Sequence, residues 1–550
     1  MRDGFKASAR LLSSLSVRFT VKHFFSHPIF PRIWIPTSNM VRQENQKHRP
    51  QLTDYKQGVL GSLVQCISLT LTERLQVLDL SALDSASLRV SFSCTWGLDG
   101  SGDHSDYNQL SKCDYSTKNV MSVCFSITEV KVVDSTGHEV IWTSSVAGAN
   151  KPQHTRPLAL FPEKESSDLM KDLIPRVESD VKMVKEEGVV VKEDDVSALR
   201  ATCEHCKLSM IDGKMATTLL HLEGAYCTMC SRSQEDCQRE SVILAGFTID
   251  RSVESINQLA LSLSNPDTGE IVKRRADYEK RAGVCGQPIT EQDLTKIIPV
   301  CHSKIRSFEW LIELAIRALS HQKWSTVANR VVFTKEDNEL YKTARERVKE
   351  VMKNKLAVNI GNPGDMITGA SFQKFSSDFA RNVLSSLLKE DEREDFSEIQ
   401  LGICTLVKVM NSQKRRVNVD KVRRLGQQVY LLLVRRFPWV AISPSVHRIL
   451  AHSWEVMQLN DCYGLGGQSE EGLEALNKHI RSIRSKGARK DSTIHNFTDV
   501  YNHLWDRSRP TIVEMERKIQ RRPTKVMIAT EIESMVDSIF EEEEDCGETS

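Results

Sequence analysis

Between Cys203 and Cys230 the chain carries two Cys-x-x-Cys pairs with a carboxylate, Asp212, between them. Residues Lys207–Ile211 are an apolar run that predicts a short buried strand, ended by Asp212-Gly213. A carboxylate at the tip of a strand is held where a metal or substrate can reach it, although Asp-Gly also serves simply as a turn. Cys203-x-x-Cys206 and Cys227-x-x-Cys230 are separated by twenty residues, close to the spacing of a four-cysteine zinc ribbon. A rival pair of ligands lies further on: His447 and His452, in SVHRILAH, have the His-x₃₋₅-His spacing of a zinc site. Spacing alone leaves open which partner Cys227 and Cys230 take.

A second constellation is acidic. Asp99 leaves a strand in which Leu88, Val90, Phe92, Cys94 and Trp96 alternate with polar residues. Asp212 leaves the later strand, and Glu470, Glu471 or Glu474 opens a late helix. Carboxylates converging from separate elements suit phosphoryl transfer, because two Mg²⁺ ions about 3.5–4 Å apart need several hard oxygen ligands. With 73 acidic residues in the chain, spacing alone does not single these out.

The elements that must position these groups follow from periodicity. Leu52–Leu83 has apolar residues at helical spacing and predicts a helix. Val120–Val133 predicts a strand that turns at Asp134–Gly137 into Val140–Trp142, and Pro157–Phe161 is another short apolar run. A helix is expected at Asp168–Ile174, stopped by Pro175, and charged Glu178–Asp195 reads as a linker. Beyond Cys230 the pattern is helical: Phe308–His321, Asn338–Met352, Phe379–Leu388, Ile399–Val409, Leu425–Val434 and Ser469–Lys486.

The chain has 550 residues, 40% of them apolar and 27% charged, and no run long enough to span a bilayer. Fourteen cysteines in such a length do not make a disulfide scaffold, and their Cys-x-x-Cys spacing favours metal. The formal charge of +1 hides an uneven layout: Lys414–Lys525 holds 22 Lys and Arg against 11 Asp and Glu, followed by the acidic end Glu541–Asp545. A basic block of this kind suits a polyanion such as DNA. Residues 1–35 contain Asp3 as their only acid and resemble a mitochondrial transit peptide in composition, a reading ranked below both a poorly defined start and a disordered basic arm.

Six segments occurring in order, LDGSGD (Leu98–Asp103), SMIDGKM (Ser209–Met215), GAYCTMC (Gly224–Cys230), IDRSVE (Ile249–Glu254), HRILAH (His447–His452) and EALNKHIRSIRSKGARK (Glu474–Lys490), resemble the family of the V(D)J recombinase catalytic subunit and the Transib transposases. That resemblance implies an α/β ribonuclease-H-like catalytic core of the DDE type, interrupted by a large all-α insertion that contains zinc. The implied organisation is an uncertain N-terminus (1–50), a helical segment (51–85), the core with both aspartates (86–230), the insertion (231–463), C-terminal helices with the glutamate (464–528) and an acidic tail (529–550). Asp99, Asp212 and Glu474 would bind two Mg²⁺ or Mn²⁺, the x-x-Asn477-Lys478 context selecting Glu474 among its neighbours. Cys227, Cys230, His447 and His452 would bind one structural Zn²⁺, leaving Cys203 and Cys206 as ordinary thiols.

The activity implied is cleavage of double-stranded DNA beside a recognition sequence, by nicking and then hairpin formation. It would take place in the nucleus, in a homodimer, with an accessory subunit as a further partner. Lys478, Arg481, Arg484, Lys486, Arg489 and Lys490 would hold phosphates, with Arg423, Arg424, Arg435 and Arg436 as weaker candidates. The alternative is a host-adopted derivative that binds DNA without cutting it. Nothing between Met1 and Asp84 has the paired cysteines of the family's N-terminal zinc module.

Overall fold

The computed structural model describes residues 45–84, 87–102, 118–144, 152–163, 167–194, 197–223, 226–265, 271, 281–321, 333–360, 378–412, 415–519 and 530–540. The basic stretch before residue 45, Asp103 and the acidic tail from residue 541 lie outside them. The chain divides into two compact units, Met1–Lys207 with Glu471–Thr524, and Leu208–Glu470 with Lys525–Ser550. No helix among the described residues is long and apolar enough to cross a membrane.

The first unit is built on a sheet. Its strands are β1 (Leu52–Tyr55), β2 (Gly58–Gly61), β3 (Arg89–Ser101), β4 (Val120–Val133), β5 (Glu139–Thr143), β6 (Arg156–Phe161), β7 (Val189–Asp194) and β8 (Ser197–Met210). The order is β1-β2-β6-β4-β3-β8-β7, with β5 beside β4. Residues Val120–Ile127 of β4 are all buried, so both faces of the sheet centre are covered there. The alternation in Leu88–Trp96 and the turn after Val133 appear as expected: β3 and β4 pair antiparallel from Arg89↔Val133 to Ser101↔Val120.

Two expectations fail. Leu52–Gly61 is a hairpin, and only Leu63–Leu75 (α1) is helical. The turn residues Lys56 and Gln57 both have positive φ (45° and 63°), a conformation that neither residue type advertises. The second failure is at Pro175, which does not end its helix: α2 runs from Ser167 to Glu187 and absorbs half of the segment read as a linker. Leu169, Leu173, Ile174, Val177, Val181 and Val184 are all buried, forming a stripe at helical spacing that outweighs one backbone hydrogen bond lost to proline. Val189–Asp194 of that segment form β7.

The helices of the second unit are α3 (Gly213–Leu219), α4 (Glu240–Ala245), α5 (Val253–Leu263), α6 (Val300–Ser320), α7 (Lys335–Leu356), α8 (Asp378–Ser385), α9 (Glu390–Met410), α10 (Val419–Arg436) and α11 (Pro444–Leu459). The first unit then takes α12 (Glu471–Lys486), α13 (Thr493–Arg507) and α14 (Pro510–Ile519), and α15 (Thr530–Ile539) belongs to the second. Phe308, Leu311, Ile399, Ile403, Leu433 and Ile449 lie in one continuous apolar core. α10 and α11 approach so closely that a Cβ at Gly426 would stand 2.3 Å from the Leu450 carbonyl oxygen. In the first unit Arg156 of β6 is buried against the Trp505 ring, 3.6 Å from its centroid, and donates to Thr70 Oγ1 (2.6 Å) and the Trp505 carbonyl (3.3 Å), tying α13 to the sheet.

Candidate functional site

In the second unit one group of ligand atoms converges. Cys227, Cys230, His447 and His452 are all buried and bring one sulfur or nitrogen each to within 4.8 Å of the others. Ser443 caps α11 by accepting from the Val446 N–H, and Pro444 occupies its first turn, which fixes where the histidines start. His447 Nε2 lies 3.3 Å from Cys230 Sγ, while its Nδ1 meets the Tyr430 hydroxyl at 2.9 Å. His452 Nδ1 meets Glu455 Oε2 at 3.2 Å, and its Nε2 is buried with no hydrogen-bond partner. Each ring is thus held at Nδ1 and presents Nε2, the arrangement that orients metal-binding histidines.

The supporting contacts extend outward. Glu455 also accepts from the Ile249 N–H, at 3.0 and 3.1 Å. The Phe247 ring stands edge-on to His447, centroid to centroid 4.8 Å. The cysteine turn is pinned by N–H groups of Asp250 and Arg251, both 3.1 Å from the Met229 carbonyl. Burial would raise the Cys227 thiol, yet Cys230 and His447 outweigh it and hold it well below its ordinary value. Two soft thiols, two imidazoles and an orphaned buried nitrogen fit Zn²⁺. Cys203 and Cys206 stand elsewhere, in β8 with Cys94 of β3 as their neighbour. The ribbon alternative is therefore not what this fold builds.

In the first unit Asp99 lies near the end of β3, directly opposite Ser122 of β4. Asn477 of α12 donates from Nδ2 to Asp99 Oδ2 at 2.6 Å. Ser122 Oγ lies 3.0 Å from Asn477 Oδ1 and 3.2 Å from the Asp99 main-chain carbonyl. One turn later Arg481 Nη2 donates to the Gly102 carbonyl at 2.8 Å. Glu474 sits half-buried in the first turn of the same helix. The positive end of the helix macrodipole favours a carboxylate there.

Asp212 is the N-cap of α3 in the second unit, two residues after β8, and its Oδ1 accepts from the Met215 N–H at 2.5 Å. Beside it lies the buried guanidinium of Arg448, whose Nη2 would be 3.0 Å from a Cβ at Gly213. Arg448 stands between His447 and His452 in sequence, and its charge interacts with both Cys227 and Asp212. Of the other glutamates considered, Glu470 is buried and bound to the start of α6, accepting from the His302 N–H at 2.8 Å. Glu471 shares the first turn of α12 with Glu474.

The basic residues divide. Lys478, Arg481, Lys486 and Lys490 are exposed. Arg484 is not: it is 1% exposed, donates to Asn496 Oδ1 (3.1 Å) and lies over the Phe497 ring. Its expected role as a phosphate contact is overturned, because the apolar face of an amphipathic helix carries it into the α12–α13 contact. Arg489 is exposed but forms a two-point pair with Asp499, both bonds 2.9 Å. Arg435 pairs with Glu240, Arg436 with Asp395 and Arg423 with the Trp454 ring, while Arg424 donates to the Asp420 carbonyl. Sequence reading missed Ser122, Tyr430, Arg448 and Glu455 altogether. It had Asn477 only as part of a motif.

Comparison with known proteins places this geometry. Residues 93–225 match the family model for the recombination-activation protein 1 (RAG1) RNase H domain. The match takes in Asp99 and Asp212, and stops short of Cys227, the histidine pair and Glu474. The sheet is thus a ribonuclease-H-like core, with a helical insertion in the chain between Asp212 and α12. A search of curated proteins finds no match. Among solved structures the chain is similar to the Drosophila P element transposase strand transfer complex at 10% identity, covering 88% of this chain and 87% of that one with a TM-score of 0.32.

Proposed function

We propose that this chain, whose residues 93–225 match the RAG1 RNase H domain family, is a DNA recombinase or transposase that cuts double-stranded DNA with divalent metal ions. The observation that carries this reading is the family match over both aspartate-bearing segments, joined to an Asp99 carboxylate held by Asn477. Asp99, Asp212 and Glu474 are the carboxylates that would hold two Mg²⁺ or Mn²⁺. When bound, such ions activate an attacking hydroxyl and stabilise the leaving oxygen.

The chain's own part is positioning. Asn477 fixes one oxygen of Asp99, the N-terminus of α3 fixes Asp212, and the first turn of α12 carries Glu474. Exposed Lys478, Arg481, Lys486 and Lys490 contact phosphates, giving affinity and register without reading sequence. The reaction is a nick by water, followed by attack of the freed 3′-hydroxyl on the opposite strand. The new phosphodiester closes a hairpin as that strand's own 3′ oxygen leaves. No covalent enzyme intermediate is needed, so one set of carboxylates serves both steps. Cys227, Cys230, His447 and His452 hold a structural Zn²⁺, and the protein acts in the nucleus as a homodimer, with an accessory subunit.

The test is nicking of supercoiled plasmid with Mg²⁺ or Mn²⁺. Nicking by the wild type that Asp99→Asn abolishes supports the reading. Equal nicking by both proteins contradicts it. Salt-dependent DNA binding without any nicking would point instead to a binding protein derived from a transposase.

A further inference from the structure

We infer that Ser122 and Asn477 form a positioning relay that sets the orientation of the Asp99 carboxylate and, through α12, the place of Glu474 beside it. The inference rests on the proposed role of Asp99 and Glu474 as metal ligands and adds two residues to it. Ser122 is fully buried, directly opposite Asp99 in the β3–β4 register, and Asn477 is 5% exposed.

The relay has a direction. A carboxylate only accepts hydrogen bonds, so the Asn477 amide must turn its NH₂ toward Asp99 Oδ2, 2.6 Å away. Its carbonyl then faces Ser122 Oγ at 3.0 Å, and the single hydroxyl proton goes to this nearer acceptor rather than to the Asp99 main-chain carbonyl at 3.2 Å. The reverse orientation would set the amide oxygen against a carboxylate oxygen, so the network fixes which way the amide points. The result is a neutral donor bonded to Asp99. It orients the charge without cancelling it, whereas a lysine or arginine in the same place would compete with a cation for the carboxylate.

The same contact sets helix register. Glu474, Asn477 and Arg481 are spaced three and four apart, so they share one stripe of α12. Asn477 bonds the Asp99 side chain within β3 and Arg481 bonds the carbonyl of Gly102, the residue just after it. Two points of attachment resist rotation and sliding of the stripe, and Glu474, one turn ahead of Asn477, is held with it. This gives a physical reason for the Glu-x-x-Asn spacing: the asparagine ties the helix carboxylate to the strand carboxylate.

The experiment is direct Mn²⁺ binding by the full chain, followed by electron paramagnetic resonance, for wild type, Ser122→Ala, Ser122→Thr, Asn477→Ala and Asp99→Asn. Zinc content, melting temperature and DNA affinity in chelator are measured alongside. Groups that orient metal ligands typically carry 10–100-fold in affinity. Ser122→Ala and Asn477→Ala are expected to weaken Mn²⁺ binding about tenfold or more, and Ser122→Thr to restore most of it, at unchanged zinc content and DNA affinity. If Asn477→Ala does not fold, Ser122→Ala and Ser122→Thr decide. Wild-type Mn²⁺ affinity in Ser122→Ala, with Asp99→Asn binding none, overturns the relay and leaves the metal reading standing. Wild-type affinity in Asp99→Asn overturns both.

Discussion

The Cys/His cluster of the helical unit and the Asp99 end of the sheet unit are both built from metal-binding residue types, and they are supported in opposite ways. The cluster is closed: four buried ligand atoms converge, and each histidine is held from behind by a buried or half-buried partner, Tyr430 or Glu455. At the sheet end, Asp99 is held by a neutral amide, and the helix carrying Glu474 is pinned beside it. Thiols and imidazoles can be packed together because they can be neutral, whereas carboxylates gathered without a cation repel one another. A closed set stabilises a fold. An oriented carboxylate stays available for chemistry.

The comparison predicts, first and with the largest effect, what chelation does. On the proposed zinc assignment, chelation, or substituting His452→Ala, should cost the helical unit most of its stability, since structural zinc is worth about 10–16 kcal/mol in small zinc domains. Circular dichroism should report loss of helix, with metal content falling from one zinc per chain to none. An unchanged melting temperature at zero zinc would break the contrast. Second, Asp99→Asn should lower metal-dependent nicking by at least about a hundredfold, the scale on which one transition-state group acts, with zinc content and melting temperature close to wild type.

A third test separates two basic residues six apart on α12. Arg484→Met should lower stability by about 2 kcal/mol, because it removes a buried charged hydrogen bond, and leave the DNA affinity of the folded protein unchanged. Lys478→Met should do the reverse: stability within about 0.5 kcal/mol of wild type, and a salt dependence of DNA binding shallower by about one unit. The smallest effect concerns acid. The Thr136 hydroxyl, with N–H groups of Asp84, Thr136 and His138, holds the Asp134 carboxyl well below its ordinary value. A depressed acid contributes stability above its unfolded value, about pH 4, and loses that contribution as pH falls further. Between pH 4 and pH 2 the wild type should therefore lose stability faster than Asp134→Asn, measured by denaturant unfolding.

What the sequence made legible follows from the range of the interactions involved. Strand β4 was readable to its last residue because Val120–Val133 is bounded by a turn with Asp and Gly. The β1–β2 hairpin was hidden by a turn whose left-handed residues are Lys56 and Gln57, and the length of α2 by a proline that buried valines override. Cys227, Cys230, His447 and His452 were candidates by spacing, but their mutual pairing is a contact across more than two hundred residues. Ser122 carried no signal at all, since a serine in an apolar strand gains its meaning from Asn477, 355 positions away. Arg484 misled for the same reason: its row of basic neighbours suggested phosphate, and only the packing of α12 on α13 shows that it points inward.

The measurement that tests the central claim most directly is conversion of a pre-nicked duplex to a hairpin in Mg²⁺ and Mn²⁺, with wild type and Asp212→Ala. The nick supplies the attacking hydroxyl, so the assay depends less on knowing the target sequence. The account predicts hairpins from the wild type and none from the variant. A folded, zinc-loaded, DNA-binding wild type that yields no hairpins with either ion, with or without an added accessory subunit and candidate ends, would contradict it.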